Sequence, residues 1–210
     1  MHPPSLRLYV DSVYTSPYAM SVFVALREKG LGFELASVDL EAAQHRAADF
    51  AQLSLTQRVP TLVAGDFALS ESSAITEYLE QAYPEAPIYP ADPKQRARAR
   101  QVQAWLRSDL LPIRQERSTL VVFCGQTMPA LSPEARVAAD KLISAAQALL
   151  VGNPQNLLGE WSIVDVDLAV MLNRLILNGD SVPAELVDYA QRQWQRPSVQ
   201  EWVNLPRPGL

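Results

Sequence analysis

Apolar residues recur along this chain with two different periods, and the change from one to the other divides it. Leu6, Leu8 and Val10 alternate with polar neighbours, which predicts a half-buried strand. Phe33 to Val38 predicts a second strand, and Thr61 to Val63 with Phe67 to Leu69 predicts a hairpin around Ala64-Gly65-Asp66. Helical spacing fills the gaps. Pro17 to Lys29 reads as a helix closed by Gly30 at its C-terminal cap, Ala42 to Leu53 as a weaker helix, and Ser72 to Tyr83 as a helix stopped by Pro84. The order strand-helix-strand-helix-strand-strand-helix predicts an α/β domain over residues 1–84.

Between Pro84 and Pro93, four prolines in ten residues preclude regular structure, so residues 85–92 read as a linker. Beyond it the period is helical throughout, which predicts an all-α domain over residues 93–210. Its first helix carries Val102, Leu106, Leu110 and Ile113 on one face, with a bend or break expected at Pro112. A later helix starts at Trp161-Ser162-Ile163-Val164-Asp165-Val166. There Ser162 is expected to cap, Asp165 to return a bond to the cap, and Trp161 to pack on Val166. The apolar run Leu168 to Leu177 is interrupted by Asn173 and Arg174 and is too short to span a bilayer; it reads as a core helix.

Composition narrows the field without naming a function. At 210 residues the chain has length enough to bury about 70% of its unfolded surface. Its 48% hydrophobic and 20% charged content is that of a soluble globular protein. The net charge of −5 argues against general nucleic-acid binding, which needs a concentrated basic surface. One cysteine, Cys124, excludes an internal disulfide framework and reads as an inert, partly buried thiol; with only two histidines, a structural zinc site is not expected. Met1-His2-Pro3-Pro4-Ser5 lacks the basic and apolar regions of a secretory signal, so a cytoplasmic location is expected.

Two short stretches carry the candidate chemistry. Pro60 has no N–H to donate, and its bond to Val59 can turn cis at a cost of only about 0.5–1 kcal/mol, so Val59 can offer its own N–H and C=O to a peptide-like ligand. A few residues on, Glu71, Ser72 and Ser73 stand at a helix start, where unpaired N–H groups and the positive end of the helix dipole attract a carboxylate. Each piece alone is more often a strand start or a helix cap. Their order and close spacing favour a binding edge. Upstream, Ser16-Pro17 fits the N-cap and first-turn positions of a helix.

An α/β first domain with Val59-Pro60 before its third strand, a Glu71-Ser72 helix start, a proline-rich linker and an all-α second domain resembles the cytosolic glutathione S-transferase family. The likeness extends to the Ser162/Asp165 capping box and to Arg196-Pro197-Ser198-Val199. Ser70-Glu71-Ser72-Ser73-Ala74-Ile75 and Arg96-Ala97-Arg98-Ala99-Arg100-Gln101 further resemble the bacterial YfcF-type members. The resemblance implies a thioredoxin-like βαβαββα first domain with a cis Val59-Pro60 bond. Val59 would pair with the cysteinyl part of glutathione, Glu71 and Ser72 would hold its γ-glutamyl end, and His45 would stand where relatives contact the glycyl carboxylate, often with Gln.

The same resemblance implies a catalytic hydroxyl at the first helix start, where Ser16 would donate to the glutathione sulfur and favour the thiolate. Tyr14, Thr15 and Tyr18 remain rivals in the linear text. A thiol pKa near 8.5 must fall by about two units for a mostly ionised thiol at pH 7, which requires roughly 2.7 kcal/mol. A hydrogen bond to a charged group contributes about 1.5–3 kcal/mol and a helix terminus about 0.3–1, which together suffice.

On the first helix of the second domain, Arg96, Arg100 and Arg107, continued by Arg114, are spaced for one face. That face reads as solvated, as lining an inter-domain cleft, or as meeting a second subunit. Tyr18, Trp105 and Arg107 are candidates for the electrophile site, with core packing the plainer reading of Trp105. The resemblance implies a homodimeric glutathione S-transferase with glutathione as co-substrate, no bound cofactor or metal, and no nucleic-acid or membrane partner. Peroxide reduction is favoured over aryl-halide conjugation. A zeta-type isomerase and a non-catalytic protein of the same fold are the alternatives.

Overall fold

The computed structural model describes residues 5–152 and 155–208. Their contacts fall into two units, one of residues 5–88 with 204–208 and one of residues 89–203. In the first, the order is β1 (Leu6–Asp11), α1 (Pro17–Glu28), β2 (Phe33–Val38), a 3-10 turn (Gln44–Arg46), α2 (Ala48–Leu53), β3 (Thr61–Ala64), β4 (Phe67–Ser70) and α3 (Ser72–Ala82). The strands form one sheet in the order β2-β1-β3-β4, with β1 parallel to β2 and antiparallel to β3. Leu8 stands opposite Leu35 on one side and Leu62 on the other. The alternation seen in the sequence is the sheet's pleat: Leu6, Leu8 and Val10 are all buried.

Helix α1 packs on β1 and α3, and every residue from Ala19 to Leu26 is buried. Gly30 follows at φ 64, the left-handed position that glycine adopts at little cost. At the far end of this unit Lys29 is buried against Glu80, with Nζ 2.8 Å from its carboxylate and 2.8 Å from each of the Tyr83 and Ala86 carbonyls. Glu80 in turn accepts from the Ile88 N–H at 3.0 Å. The proline-rich stretch has no hydrogen-bond ladder of its own. This ion pair fixes its first residues instead.

One predicted helix is not continuous. Over Ala42 to Leu53 the chain forms the 3-10 turn and then α2, because Ala43 takes φ 57 and Ala47 is extended, so two short pieces replace one long one.

The second unit is helical: α4 (Pro93–Ser108), α5 (Leu111–Glu116), α6 (Thr119–Cys124), α7 (Pro133–Leu149), α8 (Ile163–Ile176), α9 (Ala184–Trp194) and α10 (Pro197–Val203). Helix α8, the predicted core helix, lies against α4, α6 and α9. The predicted capping box opens it, and Leu168, Leu172, Tyr189 and Trp202 are all buried in this unit. Fully burying each such side chain contributes about 1.5–3 kcal/mol. The expected break between Leu106 and Ile113 comes earlier than Pro112. Leu110 takes φ 59 after α4 has ended at Ser108, and Pro112 sits in the first turn of α5, where a missing N–H costs nothing. Among the described residues no helix is long and apolar enough to cross a membrane, and no cluster of three or more His, Cys, Asp or Glu is arranged to hold a metal.

Candidate active site

The end of β1 builds the first part of the site. Asp11 closes the strand, the Tyr14 N–H donates to the Asp11 carbonyl at 3.1 Å, and Tyr14 takes φ 52, which turns the chain back over the Asp11 side chain. That carboxylate, 3% exposed, accepts from the Thr15 N–H at 2.6 Å, the Ser16 N–H at 3.0 Å and the Thr15 hydroxyl at 3.2 Å. A buried carboxylate without such donors would cost several kcal/mol. Here three donors offset the loss of water, and in doing so they fix the turn.

Ser16 caps α1 as predicted. Its Oγ accepts from the Ala19 N–H at 3.2 Å, its carbonyl accepts from Met20 at 3.0 Å, and Pro17 occupies the first helical turn. An oxygen that accepts through a lone pair still holds a hydrogen to donate. The half-buried Ser16 hydroxyl keeps that hydrogen beside the helix terminus, whereas Thr15 gives its own to Asp11. Tyr18, in the same first turn, is half-buried.

The second part is the loop before β3. The Val59-Pro60 peptide bond is cis, as the resemblance implied. Among the described residues nothing pairs with the N–H or C=O of Val59, which is half-buried. The preceding carbonyl is held: Thr61 Oγ1 lies 2.8 Å from the Arg58 oxygen and 2.8 Å from the buried Ser54 hydroxyl. These two hydroxyls support the loop, and the sequence gives no sign of them beyond their position around Pro60.

Glu71 follows β4 as the N-cap of α3 with φ 76, exposed, and Ser72 is buried as the first helical residue. The first amides of a helix have no partner within it, and the first turn of α3 holds no acidic residue to neutralise its positive end. His45 lies in the 3-10 turn, half-buried, and its Nδ1 is buried without a hydrogen-bond partner. A buried polar atom left unpaired is costly, so it marks a position suited to a ligand group.

The remaining candidates belong to the second unit and are held there by carboxylates. Arg107 reaches Asp167 at 3.2 Å and the Gln103 carbonyl at 3.0 Å, and Gln103 links Asp167 at 2.8 Å to the Tyr89 hydroxyl at 2.7 Å. Trp105 Nε1 donates to Asp109 at 2.9 Å. Lys141, the Leu110 N–H and Trp105 together hold the Asp109 carboxyl down to about 2. Arg114 lies on α5 and donates to the Leu106 carbonyl at 3.1 Å, while Arg96 stacks 5.5 Å over the Tyr89 ring. The expected single arginine face is thus divided: Arg100 is exposed, Arg107 ties α4 to Asp167 on α8, and Arg114 braces the junction of α4 and α5. Cys124 is free and half-buried.

Both units match known families. A family model for the glutathione S-transferase N-terminal domain matches residues 12–87, and one for the glutathione S-transferase C-terminal domain matches residues 92–207. This chain belongs to the glutathione S-transferase family. It is 44% identical, with a TM-score of 0.77, to a glutathione transferase homolog from Burkholderia gl BGR1 solved with bound glutathione, over 95% of this chain and 96% of that one. It is 35% identical over 130 residues to glutathione S-transferase theta-3 of Mus musculus, covering 59% of this chain and 53% of that protein. It is 34% identical over 134 residues to a zeta-class glutathione S-transferase of Euphorbia esula, covering 64% and 56%. These alignments span about half the length of the curated relatives. Asp11, which holds the turn carrying Thr15 and Ser16, is the position that sequence reasoning missed. Its only trace in the text is an acidic residue at a strand end five positions before Ser16.

Proposed function

We propose that the chain binds glutathione and acts as a glutathione S-transferase, with Ser16 as the catalytic group. In this reading the Val59 N–H and C=O pair with the cysteinyl unit beside Pro60, Glu71 and Ser72 hold the γ-glutamyl end at the positive terminus of α3, and His45 meets the glycyl carboxylate. The sulfur then lies at the start of α1. There the Ser16 hydroxyl donates to it, and the thiolate so favoured attacks an electrophilic carbon or a peroxide oxygen.

The observation that supports this most is the division of labour in the Tyr14–Ser16 turn. Asp11 takes the Thr15 hydroxyl hydrogen and two backbone N–H groups, which leaves Ser16 as the hydroxyl with a hydrogen to give. The unpaired Val59 backbone and the unpaired His45 Nδ1 supply further groups for a tripeptide. The reading includes the homodimeric state, the cytoplasmic location and the preference for organic hydroperoxides that the likeness to YfcF-type members implies. In peroxide reduction two glutathione molecules are oxidised to the disulfide while the hydroperoxide is reduced to alcohol and water.

The test is glutathione binding followed by turnover on an organic hydroperoxide, an aryl halide, a maleyl compound and a mixed disulfide. Binding with hydroperoxide turnover that collapses in Ser16→Ala is the expected result. Retention of full rate in that variant would move the role elsewhere, and failure to bind glutathione would leave only a non-catalytic interaction role. Isomerisation of the zeta type is the second reading, favoured by the similarity to the zeta-class protein of Euphorbia esula. Preferential turnover of the maleyl compound would select it.

A further inference from the structure

Residues 204–208, near the chain's other end, pack with the first unit. There the half-buried Arg207 donates from Nη2 to the Tyr14 carbonyl at 3.0 Å and from Nη1 to the Leu205 carbonyl at 3.2 Å. Tyr14 is the residue whose left-handed φ of 52° sends the chain back over Asp11, two positions before Ser16. A non-glycine residue keeps such a conformation only where its surroundings hold it. A charge-assisted hydrogen bond onto its carbonyl is such a hold.

The turn is therefore gripped from two sides. Asp11 takes the N–H groups of Thr15 and Ser16, and Arg207 takes the C=O of Tyr14. The first grip is local, between residues four and five positions apart, and forms with the turn itself. The second spans 193 positions and exists only when the tail is docked.

We propose that Arg207 is a positioning residue for Ser16: by holding the Tyr14 carbonyl it fixes the turn that aims the Ser16 hydroxyl, so that turnover depends on a docked C-terminal tail. This rests on the reading of Ser16 given above. The planar guanidinium suits the task because it engages the Tyr14 and Leu205 carbonyls at once, clamping the tail to the turn; an ammonium on a flexible stem lacks that fixed fork. A displacement of the hydroxyl by about 1 Å is enough to lower a rate by as much as a hundredfold.

The experiment compares the wild-type chain with Arg207→Ala, Arg207→Lys and Ser16→Ala. Amide hydrogen exchange without glutathione reads the turn directly: faster exchange at Thr15 and Ser16 in Arg207→Ala, partly restored in Arg207→Lys, is expected. Unchanged exchange overturns the proposal whatever glutathione does. With glutathione, kcat in Arg207→Ala should fall about tenfold and the bound thiol should ionise at higher pH, while KM for glutathione and Tm stay near wild type. A loss of rate that only follows a loss of folded protein, with the pH of ionisation unmoved, overturns it as well. The two failures separate cleanly. Full turnover in Ser16→Ala sinks the reading of the site, whereas full turnover in Arg207→Ala beside an impaired Ser16→Ala sinks the tail's role alone.

Discussion

Two helix starts in this molecule are made of the same pair of residues, a serine and an aspartate, and they do opposite things. At α8, Ser162 and Asp165 are both 0% exposed, and the Ser162 hydroxyl donates to the Asp165 carboxylate at 3.2 Å. That carboxylate also accepts from the Ser162 N–H at 2.9 Å, the Leu157 N–H at 2.7 Å and the Tyr189 hydroxyl at 2.8 Å. Four bonds from three residues thus converge on one carboxylate. At α1 the aspartate lies upstream of the serine, takes its backbone N–H and its neighbour's hydroxyl, and leaves the Ser16 hydroxyl at a half-buried position. The chemistry of a serine beside a helix terminus is therefore set by where its own hydrogen goes, and that is decided by which side of the cap the acid occupies.

The comparison breaks most visibly at Asp165. Replacing it with Ala strands the Leu157 N–H, the Ser162 N–H and the Tyr189 hydroxyl in the core. At about 1–3 kcal/mol for each buried group left unpaired, and less than their full sum because the loop relaxes, denaturant unfolding should show a loss of about 3–5 kcal/mol. Burial pushes the Asp165 carboxyl above its ordinary 3.8, against the opposing effect of its donors. The folded protein then holds a proton that the unfolded chain has already released. This contribution to stability is complete below 3.8 and is lost as pH rises through the higher folded value. Unfolding measured over that interval should show the slope in wild type and a flatter one in Asp165→Asn. Equal slopes would mean that the carboxylate is not strained by burial.

The next largest effect separates the two serines. With Ser16 in the proposed role, Ser16→Ala should remove a donor to a charged sulfur, worth about 1.5–3 kcal/mol in the activation barrier, or roughly 10- to 150-fold in rate. Ser162→Ala should leave the rate unchanged and cost about 1 kcal/mol of stability. If both variants lose rate equally, the two caps are not different in kind. Asp11→Asn sharpens the contrast: one amide oxygen cannot replace two carboxylate oxygens facing the Thr15 and Ser16 N–H groups. A loss of about 1–2 kcal/mol of stability with a fall in kcat is expected, and a variant with unaltered kcat would show that Asp11 only supports the fold.

These residues differ in how far they could be read in advance. Local rules found Ser16 before Pro17, Gly30 after α1, the break after Tyr83 and the Ser162-x-x-Asp165 box, because each is settled within one turn of chain. What they missed is either long-range or held against local preference. Ala43 and Leu110 take left-handed backbone that neither residue type announces, and so a long helix became two short pieces and a break moved ahead of its proline. Asp167, the partner of Arg107, stands sixty positions further along the chain, where no reading of a single helix face finds it. Asp11 and Arg207 belong with these. Their importance comes from a turn at Tyr14 that places Thr15 and Ser16 within reach, and the text of the turn itself has no glycine or asparagine to mark it.

The smallest effect is the most discriminating between neighbouring hydroxyls. Thr15 and Ser16 are adjacent, both half-buried, and both close to Asp11, so a substitution at either perturbs the same turn. They differ in bonding. Thr15 already engages Asp11 through its N–H at 2.6 Å, and the hydroxyl adds a longer contact of 3.2 Å to the same oxygen. Thr15→Val keeps the N–H and the branched shape and removes only that second contact, so it should cost about 0.5–1.5 kcal/mol of stability and change kcat little. Steady-state rates of Thr15→Val and Ser16→Ala measured side by side test this: a Thr15→Val loss as large as that of Ser16→Ala would assign the sulfur's donor to Thr15, and with it the premise that a hydrogen bound to Asp11 is no longer free for the substrate would fall.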